Sequence, residues 1–275
     1  MMAELELTPP LFAILSALIE ERFGLSYTLQ DQELLASKLV PRVAELGMGS
    51  LLDYYYFLRY DPGSEQELTA LANALVVNET FFFRELLPLS VMVSEVLVPL
   101  VRAGAKPRVW SAACSTGEEP LTLAMLLDEQ GLLGKVEVLA TDISSNALAK
   151  ARSGQYSRRS VRHVPAPALA AKWLSEQEQT ILVRPALRDA ISWQQLNLMD
   201  REAILKLGSF DLILCRNVLI YFRDSTAARL VQDLAHQLRP NGVLLVGISE
   251  SLMRFGTSLT CEEISGVFSY RKINP

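Results

Sequence analysis

Beyond Gly104 the chain alternates short apolar runs of strand-forming residues with stretches of helical spacing, and that alternation is what a parallel sheet covered by helices on both faces requires. Strands are expected over residues 108–113, 136–141, 193–196, 210–215 and 242–247. Helices fill the gaps over 118–129, 145–152 and 226–238, and Pro240-Asn241-Gly242 reads as the turn between the last helix and its strand. A final strand near 267–272 should pair antiparallel at or near a sheet edge. One stretch breaks the rhythm. From Gly154 to Ser192 there is more sequence than a strand-to-helix connection needs. The β-prone residues 180–183 sit there among Arg and Pro, so a small β subdomain inserted at about 155–192 is the economical reading.

The first part of the chain reads as helices. Pro9 after Thr8 opens one, Leu11, Phe12, Leu15, Leu18, Ile19 and Phe23 keep its spacing, and Gly24 ends it. A second is expected over 31–46, interrupted or kinked at Pro41 and stopped by Gly47. Ser50 with Asp53, and Ser64 with Glu67, fit the spacing of capping boxes that start two more. The expected organisation is an all-α domain over 1–75 followed by an α/β domain over 76–275.

Half of the residues are apolar, enough for a substantial core. The formal charge is −5, and no Lys/Arg run exceeds a dipeptide, which argues against nucleic acid as a partner. No stretch approaches the roughly 20 apolar residues of a membrane span, and Glu4 and Glu6 do not suit a signal peptide. A cytoplasmic protein without membrane insertion is expected. Cys114, Cys215 and Cys261 have neither metal-ligand nor disulfide spacing, so buried free thiols and no metal are expected. Cys114 falls in a loop expected to line a pocket, but no basic neighbour marks it as a nucleophile.

Three segments carry the chemistry. NETFFFRE (Asn78 to Glu85) is too apolar for an ordinary loop and too charged at its end for a core strand. WSAACSTGEEP (Trp110 to Pro120) passes from a strand through small residues to Gly117 at the turn into a helix, where the backbone can approach a ligand. CRNVLIYF (Cys215 to Phe222) turns abruptly from an apolar strand to Arg216-Asn217 and then Tyr221. Polar groups placed where buried strands end are how an α/β sheet builds a ligand crevice. Asp142 follows the second strand, about 25 residues after Gly117, close to the spacing at which an acidic residue receives ribose hydroxyls. A helix N-cap before Ser144 is the other role open to it.

Together the three segments resemble the CheR family of chemotaxis receptor methyltransferases, which move a methyl group from S-adenosylmethionine to glutamate side chains of chemoreceptors, leaving S-adenosylhomocysteine. The resemblance extends from Asn78 to GISES (Gly247 to Ser251). It implies a Rossmann-like S-adenosylmethionine-dependent methyltransferase sheet with a small β subdomain insertion and an N-terminal all-α domain. It also implies methyl-donor contacts from Asn78, Thr80, Arg84, Glu119, Asp142, Asn197, Leu198, Arg216 and Asn217, with Glu118 able to exchange roles with Glu119. Arg84 and Tyr221 are then the groups that orient the acceptor carboxylate, although Arg84 could otherwise pair with Glu85 and Arg216 could serve as a surface ion-pair partner. The implied protein partner is a chemoreceptor cytoplasmic signalling domain, and a monomer is expected. The alternative is a non-catalytic S-adenosylmethionine-binding regulatory module of a chemosensory array.

Several positions depart from the family pattern. Leu121 and Ile248 stand where Tyr and His are common, and the second helix offers only Lys38 and Arg42 where relatives that dock on acidic receptors are richly basic. No glycine lies between Ser157 and Ser192, where relatives that grip a receptor tail peptide tend to have one, so tethering by such a tail is not expected.

Overall fold

The structure, a computed structural model, describes residues 5–273. The chain divides into two compact units: one runs to Val77 and includes Tyr221–Arg223, and the other comprises Asn78–Ile220 and the chain from Asp224 onward.

The first unit is built from α1 (Pro9–Phe23), α2 (Gln32–Glu45), α3 (Leu51–Tyr60) and α4 (Glu65–Leu75). In α1, Phe12, Leu15, Leu18, Ile19 and Phe23 of the helical spacing are buried together with Ser16, whereas Leu11 is only half-buried. The expected interruption at Pro41 does not occur, and α2 is continuous. Leu35, Leu39 and Val43 lie fully buried on either side of Pro41, which is itself exposed. Burying each such side chain is worth about 1.5–3 kcal/mol, so together they offset the cost of about 3 kcal/mol for a proline inside a helix. Ser50 caps α3 as expected, accepting from the Asp53 N–H at 3.0 Å. The second capping box does not form. Ser64 already has helical backbone angles, and Asp61 serves the turn instead by accepting from the Gly63 N–H at 2.7 Å. Glu67, only 4% exposed, accepts from the Tyr54 hydroxyl at 2.6 Å and from Arg42 Nε at 3.0 Å. A buried carboxylate gains more from a guanidinium and a phenol than from one cap N–H. Arg42 is thereby committed within the unit, which leaves α2 still poorer in available positive charge.

The second unit opens with α5 (Leu86–Met92), which continues through a wider turn at Val93–Leu97 into α6 (Val98–Arg102). There follow β1 (Arg108–Ala112), α7 (Glu118–Glu129), β2 (Glu137–Asp142) and α8 (Ser145–Ser153). The inserted subdomain holds β3 (Gln155–Ser157), α9 (Pro167–Trp173), β4 (Leu174–Gln177), β5 (Thr180–Val183) and α10 (Pro185–Asp189). The main sheet resumes with β6 (Ile191–Gln195), α11 (Arg201–Lys206), β7 (Phe210–Cys215), α12 (Asp224–Gln237), β8 (Leu238–Val246), β9 (Thr260–Ile264) and β10 (Val267–Arg271). Its order is β6-β2-β1-β7-β8-β10-β9, while β3-β5-β4 form a separate antiparallel sheet. Strands β6, β2, β1, β7 and β8 are parallel, and β10 runs antiparallel to both β8 and β9.

The helices α5, α6, α9, α10 and α11 were not expected, and two further departures concern the sheet. One edge strand is β9, which was not expected because Thr260–Ile264 is polar and largely exposed. The Pro240-Asn241-Gly242 turn lies within β8, where pairing shifts from Phe210↔Leu238 to Leu212↔Val243, so the anticipated turn interrupts the strand instead of preceding it. Helix α7 buries Leu121, Leu123, Met125, Leu126 and Leu127 rather than a single stripe, because it packs on α5 and β2 and is also covered by α9 and α10 of the insertion.

Candidate active site

Because β6, β2, β1, β7 and β8 are parallel, their carboxyl ends share one side of the sheet, and the polar residues that follow them meet there. The loop after β1 is unusual in its backbone: Ala113, Ser115 and Gly117 all have positive φ, at 55°, 51° and 92°. Non-glycine residues in that region carry a cost that the surroundings must offset. Here β2 supplies the hold. The Cys114 N–H donates to Thr141 O at 2.9 Å, and the Ser115 N–H to Asp142 Oδ2 at 2.7 Å. Tyr156 of the insertion donates its hydroxyl to Thr116 O at 2.7 Å.

Asp142 also accepts from the Ser144 N–H at 2.8 Å, whereas the cap of α8 is Ser144, whose hydroxyl accepts from the Ala147 N–H at 3.0 Å. The carboxylate thus braces the loop and is not the helix cap. Burial pushes its pKa above the ordinary aspartate value, against the lowering effect of N–H groups from Ser144, Ser115 and Ile143. Asn78 joins the same cluster by accepting from Ser115 Oγ at 3.2 Å. Asn197 and Leu198 arrive beside it, since the Leu196 N–H donates to Asp142 O at 3.0 Å; the Asn197 side chain accepts from the Met199 N–H at 2.9 Å.

A second cluster forms around Arg216, whose side chain is 1% exposed. It is no surface ion-pair partner. Nη1 donates to Glu119 at 2.8 Å, and Nη2 to Glu85 at 2.8 Å. Glu119 also accepts from Ser111 Oγ at 2.8 Å, while Glu118 is buried and accepts from the Thr116 hydroxyl at 2.6 Å, so the two adjacent glutamates serve different partners. Arg84 does not pair with Glu85. It lies over the Phe81 ring, 5.8 Å from its centroid, and donates to Glu79 O at 2.8 Å. Thr80 lies half-buried in the same segment.

Two residues of this network were not singled out from sequence. Glu85 has φ 47° and binds Arg216, the Asn217 amide (3.3 Å) and the Ile248 N–H (3.2 Å). Burial raises its carboxyl, but the Arg216 charge and these hydrogen bonds outweigh that and hold it below the ordinary glutamate value. Glu250 accepts from the N–H groups of Asn217 (2.7 Å), Leu219 (2.8 Å) and Gly247 (2.8 Å), pinning the left-handed turn at Asn217 (φ 58°) to the loop after β8. The signal for both was the charge embedded in an otherwise apolar or small-residue motif.

Tyr221 closes the turn Leu219–Tyr221. Its carbonyl accepts from the Ser26 N–H at 2.9 Å, and Phe222 bridges Leu25, so Tyr221–Arg223 are counted with the helical unit. Cys114 and Cys215 are buried, with thiols pushed well up by burial, and neither is a nucleophile; Cys261, also expected to be buried, is exposed on β9. Among the described residues no cluster of metal ligands is found, and no helix is long and apolar enough to cross a membrane.

The sheet order, with its antiparallel last strands, and the polar clusters at the carboxyl edge define a Rossmann-like domain of the S-adenosylmethionine-dependent methyltransferase class. Residues 78–267 match the CheR methyltransferase SAM-binding domain, and residues 10–76 match the CheR methyltransferase all-alpha domain. The chain is 36% identical over 242 residues to chemotaxis protein methyltransferase 2 of Vibrio cholerae, covering 86% of this chain and 84% of that relative. It is 32% identical over 250 residues to chemotaxis protein methyltransferase 1 of Pseudomonas aeruginosa, covering 88% and 90%. It belongs to the CheR methyltransferase family. S-adenosylmethionine is the cofactor of this domain, and the residues present fit it. A nearly buried Asp142 carboxylate suits ribose hydroxyls, and Arg216 Nε is buried with no hydrogen-bond partner among the described residues, a spare N–H for an anionic group.

Proposed function

We propose that this chain methylates glutamate side chains of a chemoreceptor cytoplasmic signalling domain, forming glutamate methyl esters in the cytoplasm, and that it works as a monomer. The observations that carry the reading are the two polar clusters that follow the parallel strands, Asn78 and Asp142 on Ser115 of the loop after β1 and Arg216 with Glu119, in a chain of the CheR family. The relatives are named as methyltransferases, and nothing favours the non-catalytic alternative. Asn78, Thr80, Arg84, Glu119, Asp142, Asn197, Leu198, Arg216 and Asn217 hold S-adenosylmethionine, which supplies an electrophilic methyl group when bound.

The acceptor needs little acid-base help. A glutamate with an ordinary pKa near 4.3 is already an anionic nucleophile at neutral pH. His163 is exposed in the insertion and His236 lies in the last turn of α12, so neither belongs to the clusters described above. What the chain must supply is alignment and partial desolvation of a carboxylate. Arg84 offers a planar fork for it, and Tyr221 a single hydrogen bond that selects the attacking oxygen.

Two measurements test this. Tyr221→Phe is expected to lower kcat on a receptor fragment while leaving S-adenosylhomocysteine affinity nearly intact, because the lost bond matters most in the transition state. Wild-type activity should rise through about pH 4–5 and stay flat to about pH 8; a limb near pH 7, abolished by one substitution, would establish a general base and sink the mechanism. Separately, Asp142→Ala should weaken S-adenosylhomocysteine binding by about 1.5–3 kcal/mol. Unchanged affinity by calorimetry removes Asp142 from the ribose site.

A further inference from the structure

Charge is distributed unevenly over this chain. Its formal charge is −5, yet between residues 150 and 188 there are eight Lys or Arg against two Glu. Spacing hides this, because the longest basic run is Arg158-Arg159. The fold gathers part of it beside the NETFFFRE segment. The Phe82 N–H donates to Ser160 O at 2.8 Å, and the Phe82 ring meets Tyr156 edge-on at 4.9 Å. Arg162 pairs with Glu79 at 2.7 Å, and its guanidinium lies 5.1 Å from the centroid of the Phe81 ring, the ring that also carries Arg84. The turn Arg158–Ser160 continues the row, with Arg158 and Arg159 both exposed.

We propose that this ridge, Arg84, Arg162, Arg159 and Arg158, is the docking surface for the acidic helical face that carries the target glutamate. The inference rests on the reading of the substrate given above. A chain of net negative charge repels an acidic partner at long range, so association needs a local region of opposite sign. On a helical substrate, carboxylates three and four residues from the target share its face, about 5–6 Å away. With the target held beside Arg84, those neighbours face the ridge, whose positive charge attracts their carboxylates. The carboxylates that now occupy the ridge are easily displaced: Arg158 pairs with Glu176 and Arg162 with Glu79 in exposed positions, and such pairs are worth little. Arg159 has no ion pair among the described residues.

The test compares wild type, Arg158→Glu/Arg159→Glu and Arg159→Lys in methyl transfer to a purified chemoreceptor cytoplasmic fragment from the same cell, over a range of salt. The double variant should raise KM for the fragment about tenfold, with kcat and S-adenosylhomocysteine affinity within about twofold of wild type. Its KM should also depend less steeply on salt, because fewer attractive charges remain to be screened. Arg159→Lys should keep KM near the wild-type value. Methyl transfer with unchanged KM and salt slope in the double variant overturns the docking surface alone. A wild type that transfers no methyl group to the fragment overturns the substrate reading and the docking with it. Wild-type binding to phosphatidylglycerol vesicles that the double variant loses, with KM unchanged, overturns the proposal in favour of a lipid surface.

Discussion

Arg216→Met is expected to destabilise the α/β unit by about 3–5 kcal/mol at pH 7, the range for removing one partner of a buried ion pair. Arg216 neutralises two carboxylates, Glu85 and Glu119, each less than a fifth exposed. Methionine fills much of the volume and returns none of the charge, so both carboxylates are left facing each other in a poorly solvated site. All three tryptophans, Trp110, Trp173 and Trp193, lie in this unit, so their fluorescence in urea reports its unfolding. The pH dependence follows from Glu85, whose folded pKa is held below its unfolded value mainly by Arg216 acting against burial. Its contribution is present above the unfolded value near 4.3 and is lost as pH falls through the lower folded value. The deficit of the variant should therefore be full at neutral pH and shrink below about pH 4. A loss under about 1 kcal/mol, or a deficit that grows toward acid, would show that Arg216 is not the keystone of the cluster.

What could be read from sequence followed the strength of the periodic signal. The inner strands are continuous apolar runs because both of their faces are covered, and Phe210–Cys215 was located to the residue. Strand β9 escaped because an exposed edge strand with Glu262 and Glu263 has no such run. The interruption at Pro41 is absent for a related reason: Pro41 is a local cost, while the packing of Leu35, Leu39 and Val43 that overrides it is tertiary.

The site was readable as a set of motifs, but not as a network. Asp142 and Arg216 were marked by their position after apolar strands, whereas Asp142's bond to the Ser115 N–H and Arg216's pairing with Glu85 join residues 27 and 131 positions apart. Glu85 and Glu250 carry no periodic signal at all. Their carboxylates act on backbone N–H groups and a guanidinium brought in by other strands, which only the parallel topology determines.

Gly117→Ala should be the most damaging change in the loop after β1, costing about 2–5 kcal/mol and weakening S-adenosylhomocysteine binding at the same time. Two effects add. At φ 92° an L side chain is strained by about 1–2 kcal/mol. The added methyl would also stand 2.7 Å from Ala151 Cβ and 2.9 Å from the Trp193 ring, and overpacking of this kind costs about 1–3 kcal/mol. Neither neighbour yields cheaply, since Ala151 is fully buried on α8 and Trp193 lies on β6 with its ring N–H donated to Arg188 O at 3.3 Å. Relief must come from a shift of the first turn of α7, which carries Glu119 and so disturbs its pairing with Arg216. Gly131→Ala separates the two contributions. Gly131 also has positive φ, at 67°, but nothing lies within 4 Å of its added Cβ, so only the strain should appear there and ligand affinity should not change. Urea midpoints and calorimetric affinities for the two variants decide the matter: if Gly117→Ala costs no more than Gly131→Ala and binds S-adenosylhomocysteine as tightly as wild type, the close approach of α7, α8 and β6 at Gly117 is not what shapes the loop.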